Sequence, residues 1–592
     1  MTVQEQQQIR IRELEKEIAR LHAQIKEQRY GLTWLDVPEA FEADSENKIP
    51  ILEEVKEKAI DAPCRDAARH FSTEKSAPHI IIEGDNYHAL TCLNYTHRGK
   101  IDVIYIDPPY NTGSDGFTYK DKRILTQFPD GSPVPKEHPL RHSYWLSFMS
   151  KRLELAKNLL SDNGVIFISI DDNEQANLKL LCDKVFGEDN FIANFMWMRT
   201  ATASNLSHTV RSKMEYVLCY QNRKLDFVLN GGLTDGGDIP LLNASNKKAD
   251  IVFSKNAVVF KIKDGLYPKG TYDKVELLED VKIVNGVATD DLKMRGNFKW
   301  GQKMVDDEIL NGTYFIIKTT KFAIRFQRAE KSTKTPSNLL TKEECNVGTN
   351  EEGFDAVNQI FGEPVFDYSK PTSLLQYLIN MHIKKSSTIL DFFAGSGTTL
   401  HATMKLNAED GGNRQCILVQ QQEGDNNICE NVTYERNRRV MCGYTNAKGE
   451  QVEGLGGRLK YYRTAFVGKN ASRTATDADR VELSLKAGYL LALGENTLEE
   501  ISHTESYQIF ADGENPQKYT AIFFTENYAK LPDFVAGIEQ LRANAATPVE
   551  FAVYIFCWGQ PDVFEGEFNS LRGISLKAIP QPILDVYKSI NQ

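Results

Sequence analysis

Four consecutive residues, Asp107-Pro108-Pro109-Tyr110, put a carboxylate, stiff carbonyl acceptors and a flat aromatic ring into one short stretch. They follow Ile101–Ile106, whose β-branched and aromatic residues read as a buried strand. Two prolines in series cannot continue a strand interior, and Pro108 keeps Asp107 out of helical conformation. The tetrapeptide is therefore a rigid turn at the carboxyl end of a strand, where open α/β sheets place their ligands. Such a set suits the exocyclic amine of a nucleobase, a poor nucleophile because its lone pair is delocalised into the ring. Acceptors on both N–H protons, the Asp107 carboxylate and the Pro108 carbonyl, favour a pyramidal nitrogen and free that lone pair. Tyr110 would stack on a base turned out of the duplex. The plain alternative is a proline-stiffened loop with an incidental acid, and the tetrapeptide alone does not decide.

A second candidate lies far downstream. Ser387–Leu390 reads as a strand feeding Asp391-Phe-Phe-Ala-Gly395-Ser-Gly397-Thr-Thr399 and then a helix. Gly395 and Gly397 allow a tight turn and close backbone approach to a ligand at a helix N-terminus. A dinucleotide site fits less well, because Leu400 stands where a third glycine belongs and the next strand, Cys416–Val419, runs into Gln420 rather than an acid. A P-loop is excluded, as no Gly-Lys-Ser/Thr occurs.

The elements around these stretches alternate strand and helix. His79–Ile82 reads as a strand, Glu83–Asn86 as a turn, and Leu90 and Leu93 mark a helix. Asp85 and Asp107 are expected after neighbouring parallel strands on one sheet edge; Asp85 could bind a cofactor's adenine amine and would equally cap the helix. Tyr144–Leu160 is amphipathic, with Trp145, Phe148, Leu153, Leu155, Leu159 and Leu160 on its buried side. Gly164–Ile170 is another buried strand, Asp171 and Asp172 read as a strand-end helix cap with a catalytic role as the alternative, and Glu174–Phe186 is a helix. This alternation predicts an α/β fold with a doubly wound sheet. Ahead of it, Ile11, Leu14, Ile18, Leu21 and Ile25 form a short heptad seam, and the acidic stretch 36–57 reads as a linker.

Between about 194 and 348 the alternation stops. Short β-prone pieces (Tyr216–Tyr220, Ile251–Phe253, Val258–Ile262, Tyr314–Ile317, Phe322–Phe326) predict an inserted mixed or β domain. It carries 24 Lys+Arg against 18 Asp+Glu inside a chain of net charge −11, whereas 480–592 carries 8 against 15. Its densest basic cluster is Lys318, Lys321, Arg325, Arg328, Lys331 and Lys334, interleaved with Phe322 and Phe326. Together with Arg199, Arg211 and Lys213 these are the candidate phosphate contacts; an ordinary lysine-rich surface is the alternative. The run Thr200–Lys213 reads as a loop that could order on DNA.

The chain of 592 residues is too long for one core. No apolar run approaches the length of a bilayer span, the first residues are no signal peptide, and nine scattered cysteines lack CxxC pairs or zinc spacing. No metal is expected, and a reducing cytoplasm is the default. In the acidic C-terminal stretch, Lys518–Phe524 and Phe551–Trp558 read as strands with a helix at Leu531–Ala543 between them, a small α/β domain suited to contact with another protein.

DFFAGSGTT resembles the S-adenosylmethionine loop of amino-methyltransferases that act on DNA, and Asp107–Tyr110 resembles their catalytic motif in the form usual for adenine N6. Catalytic motif first, recognition domain next and cofactor loop last is the permuted β arrangement of that Rossmann-like fold. The stretches IDVIYIDPPYNTG, WLSFMSKRLELAKNLL and GVIFISIDDNE are most similar to modification subunits of type III restriction–modification systems. The resemblance implies that Asp107, Pro108, Pro109 and Tyr110 hold the target amine and base. It implies that Asp391, Phe393, Ala394, Gly395, Ser396, Gly397 and Thr398 line the methionine pocket. Asp85 would meet the cofactor adenine, Lys370 would sit in the segment beside the methionine, and Gln420 would stand where most members carry a ribose-binding Glu. It further implies a double-stranded DNA substrate, a homodimer and a separate helicase–nuclease subunit. The expected domains are 1–60 (helix and linker), 61–193 (catalytic half), 194–348 (target recognition), 349–465 (cofactor half) and 466–592. Cytosine N4, a solitary methyltransferase and a catalytically silent DNA-binding subunit are the competing readings.

Overall fold

Runs of consecutive buried β-branched and aromatic residues such as Ile80–Ile82, Val103–Ile106 and Val165–Ile168 have no polar face to offer solvent. They must therefore pair on both edges and be covered on both faces, which is the condition of a parallel sheet. The computed structural model describes residues 32, 34–36, 48–62, 77–112, 115–116, 119–120, 127, 133, 138–202, 210–233, 239–328, 333–422, 427–513, 516–545, 547–568 and 571–590. The N-terminal heptad seam and Lys331 lie outside the described residues.

Among the described residues eleven strands form one sheet: β1 (Ile49–Glu54), β2 (Ile60–Ala62), β3 (His79–Glu83), β4 (Ile101–Ile106), β5 (Leu160–Ile170), β6 (Phe191–Met198), β7 (Met214–Gln221), β8 (Leu339–Leu340), β9 (Thr388–Asp391), β10 (Gln415–Gln420) and β11 (Gly457–Val467). Their order is β1-β11-β3-β10-β9-β4-β5-β7-β6-β8, with β2 also paired on β11. From β11 to β5 every pairing is parallel, and β7 runs antiparallel to both β5 and β6. The helices that matter for the site are α1 (Asn86–Thr96), α2 (Ser143–Leu159), α3 (Gln175–Phe186), α4 (Thr372–Asn380), α5 (Thr398–Asp410) and α6 (Glu435–Cys442). The doubly wound α/β expectation is met, and every apolar residue assigned to the inner side of α2 is buried.

Three expectations change. Asp85 and Asp107 do share the carboxyl edge of the sheet, but their strands are not neighbours: β10 and β9, from the far half of the chain, insert between β3 and β4. The linker at 36–57 contains β1, an antiparallel partner of β11. Its Ile49, Ile51 and Leu52 are fully buried, and the outermost position tolerates Pro50. Tyr216–Tyr220 belongs to β7 of the main sheet and not to the insertion. Four consecutive buried residues, Val217–Tyr220, mark a strand covered on both faces rather than half of a small β domain.

The chain divides into two compact units, 1–227 with 337–592, and 228–336. The separate unit is thus narrower than the expected 194–348, because β6, β7 and β8 go to the large sheet. Taken by itself, 228–336 holds a seven-stranded and a four-stranded sheet among the described residues, with Phe253, Met294, Phe315 and Phe322 in its core. The C-terminal stretch builds a five-stranded sheet whose residues alternate between two cores. Ile522, Tyr554 and Phe556 pack with Ile49 and Leu90 of the main core, whereas Phe523, Val553 and Ile555 face the helix Leu531–Asn544. One face of the predicted partner-contact domain is therefore spent within this chain, and the Tyr587 hydroxyl donates to the Pro50 carbonyl at 3.1 Å.

Candidate active site

β4 ends at Ile106 and β9 at Asp391, and the two strands pair with Ile104 opposite Leu390. The Asp107–Tyr110 turn and the Asp391–Thr399 loop therefore leave the sheet side by side. Gln420 lies opposite Glu83 where β10 and β3 end, which brings the Asp85 turn to the same edge.

The turn is pinned from behind. Trp145 on α2 donates its indole N–H to the Pro109 carbonyl at 2.7 Å. Asn111, at φ +59, donates to Glu174 Oε1 at 2.6 Å, and the same oxygen takes His142 Nδ1 at 2.6 Å. The hydrogen bond to Glu174 raises the His142 pKa above its usual 6.5 against the opposing pull of burial. A raised folded-state pKa contributes stability that is complete below the unfolded value and is lost as pH rises through the folded one. The Asn111 segment is thus expected to loosen as pH climbs through the elevated value above 6.5. In His142→Gln this pH dependence should vanish, as read by amide hydrogen exchange at residues 107–112.

Asp107 and Tyr110 belong to a buried four-group cluster. The Tyr110 hydroxyl donates to Asp107 Oδ1 at 2.7 Å and to Glu215 Oε2 at 3.2 Å. The Lys370 ammonium lies 3.0 Å from Asp107 Oδ2, 2.9 Å from the Tyr110 oxygen and 3.4 Å from Glu215 Oε2. It also stands over the Tyr110 ring, 5.0 Å from the centroid, and 5.5 Å from that of Trp197. Lys370 is 8% and Glu215 4% exposed. Burial pushes the Asp107 carboxyl up, against the ammonium and the Tyr110 hydroxyl. For Lys370 burial works to lower the pKa, but Asp107 and Glu215 outweigh it and hold the side chain charged. Burial, then Asp107 and Glu215, drive the Tyr110 pKa well up, so it remains a neutral phenol. Lys370, assigned from sequence to the segment beside the methionine, sits on the Asp107–Tyr110 pair.

The glycine loop turns much of its chemistry inward. Asp391 accepts from the Phe393 amide at 3.0 Å and the Thr399 hydroxyl at 2.5 Å, and burial lifts its pKa to about 7. Asp391 therefore shapes the loop rather than lining a pocket with a free carboxylate. Ser396 and Thr398 point at Arg436 on α6, whose guanidinium donates to their hydroxyls at 2.9 and 2.7 Å. Arg436 is fully buried and its pKa is lowered to about 10 by that burial. Gln420 accepts from the Gly395 amide at 2.8 Å and donates to the Gln421 carbonyl at 3.2 Å. Its amide thus braces the loop. Phe393 and Ala394 are buried beside it. Asp85 caps α1 by accepting from the Tyr87 amide at 2.8 Å and keeps its side chain 30% exposed, so both roles weighed for it are compatible.

The candidate DNA contacts divide. Arg199 is drawn inward to Glu215 at 3.3 Å, while Arg211 and Lys213 lie on the surface, the Lys213 ammonium donating to the Ala201 carbonyl at 2.6 Å. In the 228–336 unit Lys318 is exposed, Arg325 is half-buried, and Lys321 lies 3.7 Å from Asp273. Phe322 and Phe326 are core residues and not groove readers. Arg328 is committed to the buried Glu308, at 3.0 and 3.1 Å through Nε, and stacks near Trp300. Arg328→Ala is expected to cost about 1–2 kcal/mol in thermal unfolding, less than for a fully buried pair because the arginine is part-exposed. It should weaken DNA binding less than Lys318→Ala does.

Glu215 and Arg436 escape sequence reading. Glu215 is a lone acid at the head of an apolar strand, and Arg436 sits in the charged run ERNRR that reads as a solvated helix face.

Residues 101–431, more than half the chain, match the DNA methylase family of N6 and N4 methyltransferases. The chain belongs to this family. It is 35% identical over 403 residues to the StyLTI Mod subunit, a type III restriction–modification enzyme of Salmonella typhimurium, a match covering 64% of this chain and 58% of that one. It is 32% identical over 382 residues to the EcoPI Mod subunit of Escherichia phage P1, covering 59% and 58%. To the type II methyltransferase M.KpnI of Klebsiella pneumoniae it is 31% identical over 368 residues, covering 60% and 83%. The chain thus spans less than two thirds of the length of these two Mod subunits.

Proposed function

We propose that the chain transfers a methyl group from S-adenosylmethionine to N6 of an adenine turned out of duplex DNA, as the modification and specificity subunit of a type III restriction–modification system. The observation that carries this reading is the departure of the Asp107–Tyr110 turn and the glycine loop from paired strands at one sheet edge. The residues fit the cofactor. Gly395 and Gly397 lie at φ +50 and +74, and a methyl at Gly395 would come within 3.3 Å of the Phe366 ring, so the close packing of the loop there depends on glycine. The Asp85 carboxylate keeps an exposed face at the same edge.

S-adenosylmethionine would supply an electrophilic methyl on a sulfonium that is its own leaving group. Asp107 and the Pro108 carbonyl would accept hydrogen bonds from the two amine N–H groups and so orient the nitrogen lone pair. The methylated amine would have one proton to lose. Asp107, its proton affinity raised by burial, takes it up. Tyr110 presents its ring to the base while its hydroxyl fixes the carboxylate. The 228–336 unit is the target-recognition part, with Lys318 and Arg325 as its candidate backbone contacts; Arg211 and Lys213 are the candidates on the main unit, with phosphates giving affinity and base edges giving specificity. A homodimer, a helicase–nuclease partner and a cytoplasmic location complete this reading; no helix among the described residues is long and apolar enough to cross a membrane.

Nucleoside analysis of unmodified DNA after incubation with the protein and S-adenosylmethionine tests the chemistry. N6-methyladenine is expected; N4-methylcytosine would overturn the target base. The 83% coverage of M.KpnI favours a second reading, a methyltransferase that works without a type III partner. A helicase–nuclease subunit that associates with the chain and cuts DNA with ATP only in its presence would exclude it.

A further inference from the structure

In the structure, the place the target adenine needs is held by the protein itself. The base amine must reach Asp107 and the base plane must reach the Tyr110 ring. Both are engaged by one side chain: the Lys370 ammonium is 3.0 Å from Asp107 Oδ2 and 5.0 Å from the Tyr110 centroid. The other oxygen, Oδ1, is already taken by the Tyr110 hydroxyl. An ammonium on a buried carboxylate is a strong competitor for a neutral amine, because charge-assisted hydrogen bonds are about twice as strong as neutral ones. A site left this way would hold the base weakly.

Glu215 resolves the conflict. Its Oε2 lies 3.4 Å from the same ammonium, on a strand that supplies nothing else to the cluster. Its Oε1 is steadied by Arg199 at 3.3 Å, so the carboxylate is fixed before any ligand arrives. Burying a second carboxylate beside the first costs free energy unless it has a cation to share. The arrangement gives one ammonium two carboxylates, at 3.0 Å and 3.4 Å.

We propose that Lys370 and Glu215 form a hand-over: Lys370 occupies the amine site of Asp107 while no base is present, and passes to Glu215 when the adenine amine arrives. Both are positioning residues. Glu215 never touches the base; it receives the displaced ammonium, so that the buried charge stays paired throughout. This inference rests on the proposed methyl transfer.

The hand-over predicts a rescue. In Glu215→Gln the ammonium has no second carboxylate and stays on Asp107. The rate constant for methyl transfer to unmodified DNA should fall about 100-fold, with S-adenosylmethionine affinity changed less than threefold. Adding Lys370→Met to Glu215→Gln removes the competitor and should recover at least tenfold of that loss. A double variant no better than Glu215→Gln overturns the hand-over, as does a Glu215→Gln that loses cofactor affinity in step with its rate. Should Glu215→Gln fail to fold, Glu215→Asp carries the test: it keeps a carboxylate but draws it back from the ammonium. Transfer should then fall about tenfold or more with cofactor affinity held within about threefold, and transfer equal to wild type overturns the hand-over. A wild-type protein that transfers no methyl overturns the function reading instead, and the two failures are told apart in one assay.

Discussion

Asp107→Ala is expected to abolish methyl transfer, by about 10³-fold or more, while the protein still folds and still binds S-adenosylmethionine. In the proposed mechanism the carboxylate has two duties: it accepts a hydrogen bond from the amine in the ground state and takes up the proton that the methylated amine releases. Loss of a positioned general base costs about 10²–10⁴-fold, and loss of the orienting hydrogen bond adds to it. About 10³-fold corresponds to roughly 4 kcal/mol of barrier. The fold should survive because the deletion does not strand a buried cation: Lys370 keeps Glu215 at 3.4 Å, and the turn keeps its Trp145 and Asn111 anchors. Steady-state kinetics beside a cofactor-binding titration would check both halves. A variant that loses binding and transfer together would make Asp107 a structural residue.

Gly397→Ala carries the second large effect, on cofactor affinity. Gly397 adopts φ +74, where an added Cβ costs about 1–2 kcal/mol. That Cβ would also stand 2.4 Å from Asn437 Nδ2 and 3.1 Å from the Thr433 carbonyl. Asn437 donates to the Gly397 carbonyl at 3.2 Å and to the Thr433 carbonyl at 2.8 Å, so alanine would push it off both. The loop would open at the point where Gly397 donates to the Ala394 carbonyl at 2.8 Å to close its turn. S-adenosylmethionine affinity is expected to fall at least tenfold, about 1.4 kcal/mol. Gly411→Ala is the control: it has a similar φ of +66 at the end of α5 with nothing within 4 Å of the added carbon. It should cost stability of the same order and leave affinity unchanged.

Much of this site was legible because its parts are local in sequence. A strand stopped by two prolines and a strand feeding two glycines each announce a loop at a sheet edge, and Asp107, Tyr110, Gly395 and Gly397 all stand where that reasoning puts them. What could not be read was long-range. Glu215 lies 105 residues from Tyr110 and Lys370 another 155 beyond it, and their meeting depends on β7 joining β5 in the main sheet. Local polarity also misled. Arg328 and Arg436 look like surface charges in sequence, yet one is committed to Glu308 and the other lies fully buried under the glycine loop. Gln420 and Asp391 occupy the expected positions, and their side chains also hydrogen-bond to the loop they support. Position could be inferred from spacing; the direction a side chain faces could not.

The most direct measurement is base-resolved sequencing of DNA that carries no prior modification, after incubation with S-adenosylmethionine and either the wild-type protein or Asp107→Ala. The account predicts N6-methyladenine at one short asymmetric site, on one strand, present with the wild type and absent with the variant. Methylation of cytosine, or adenine methylation that persists in Asp107→Ala, would contradict it.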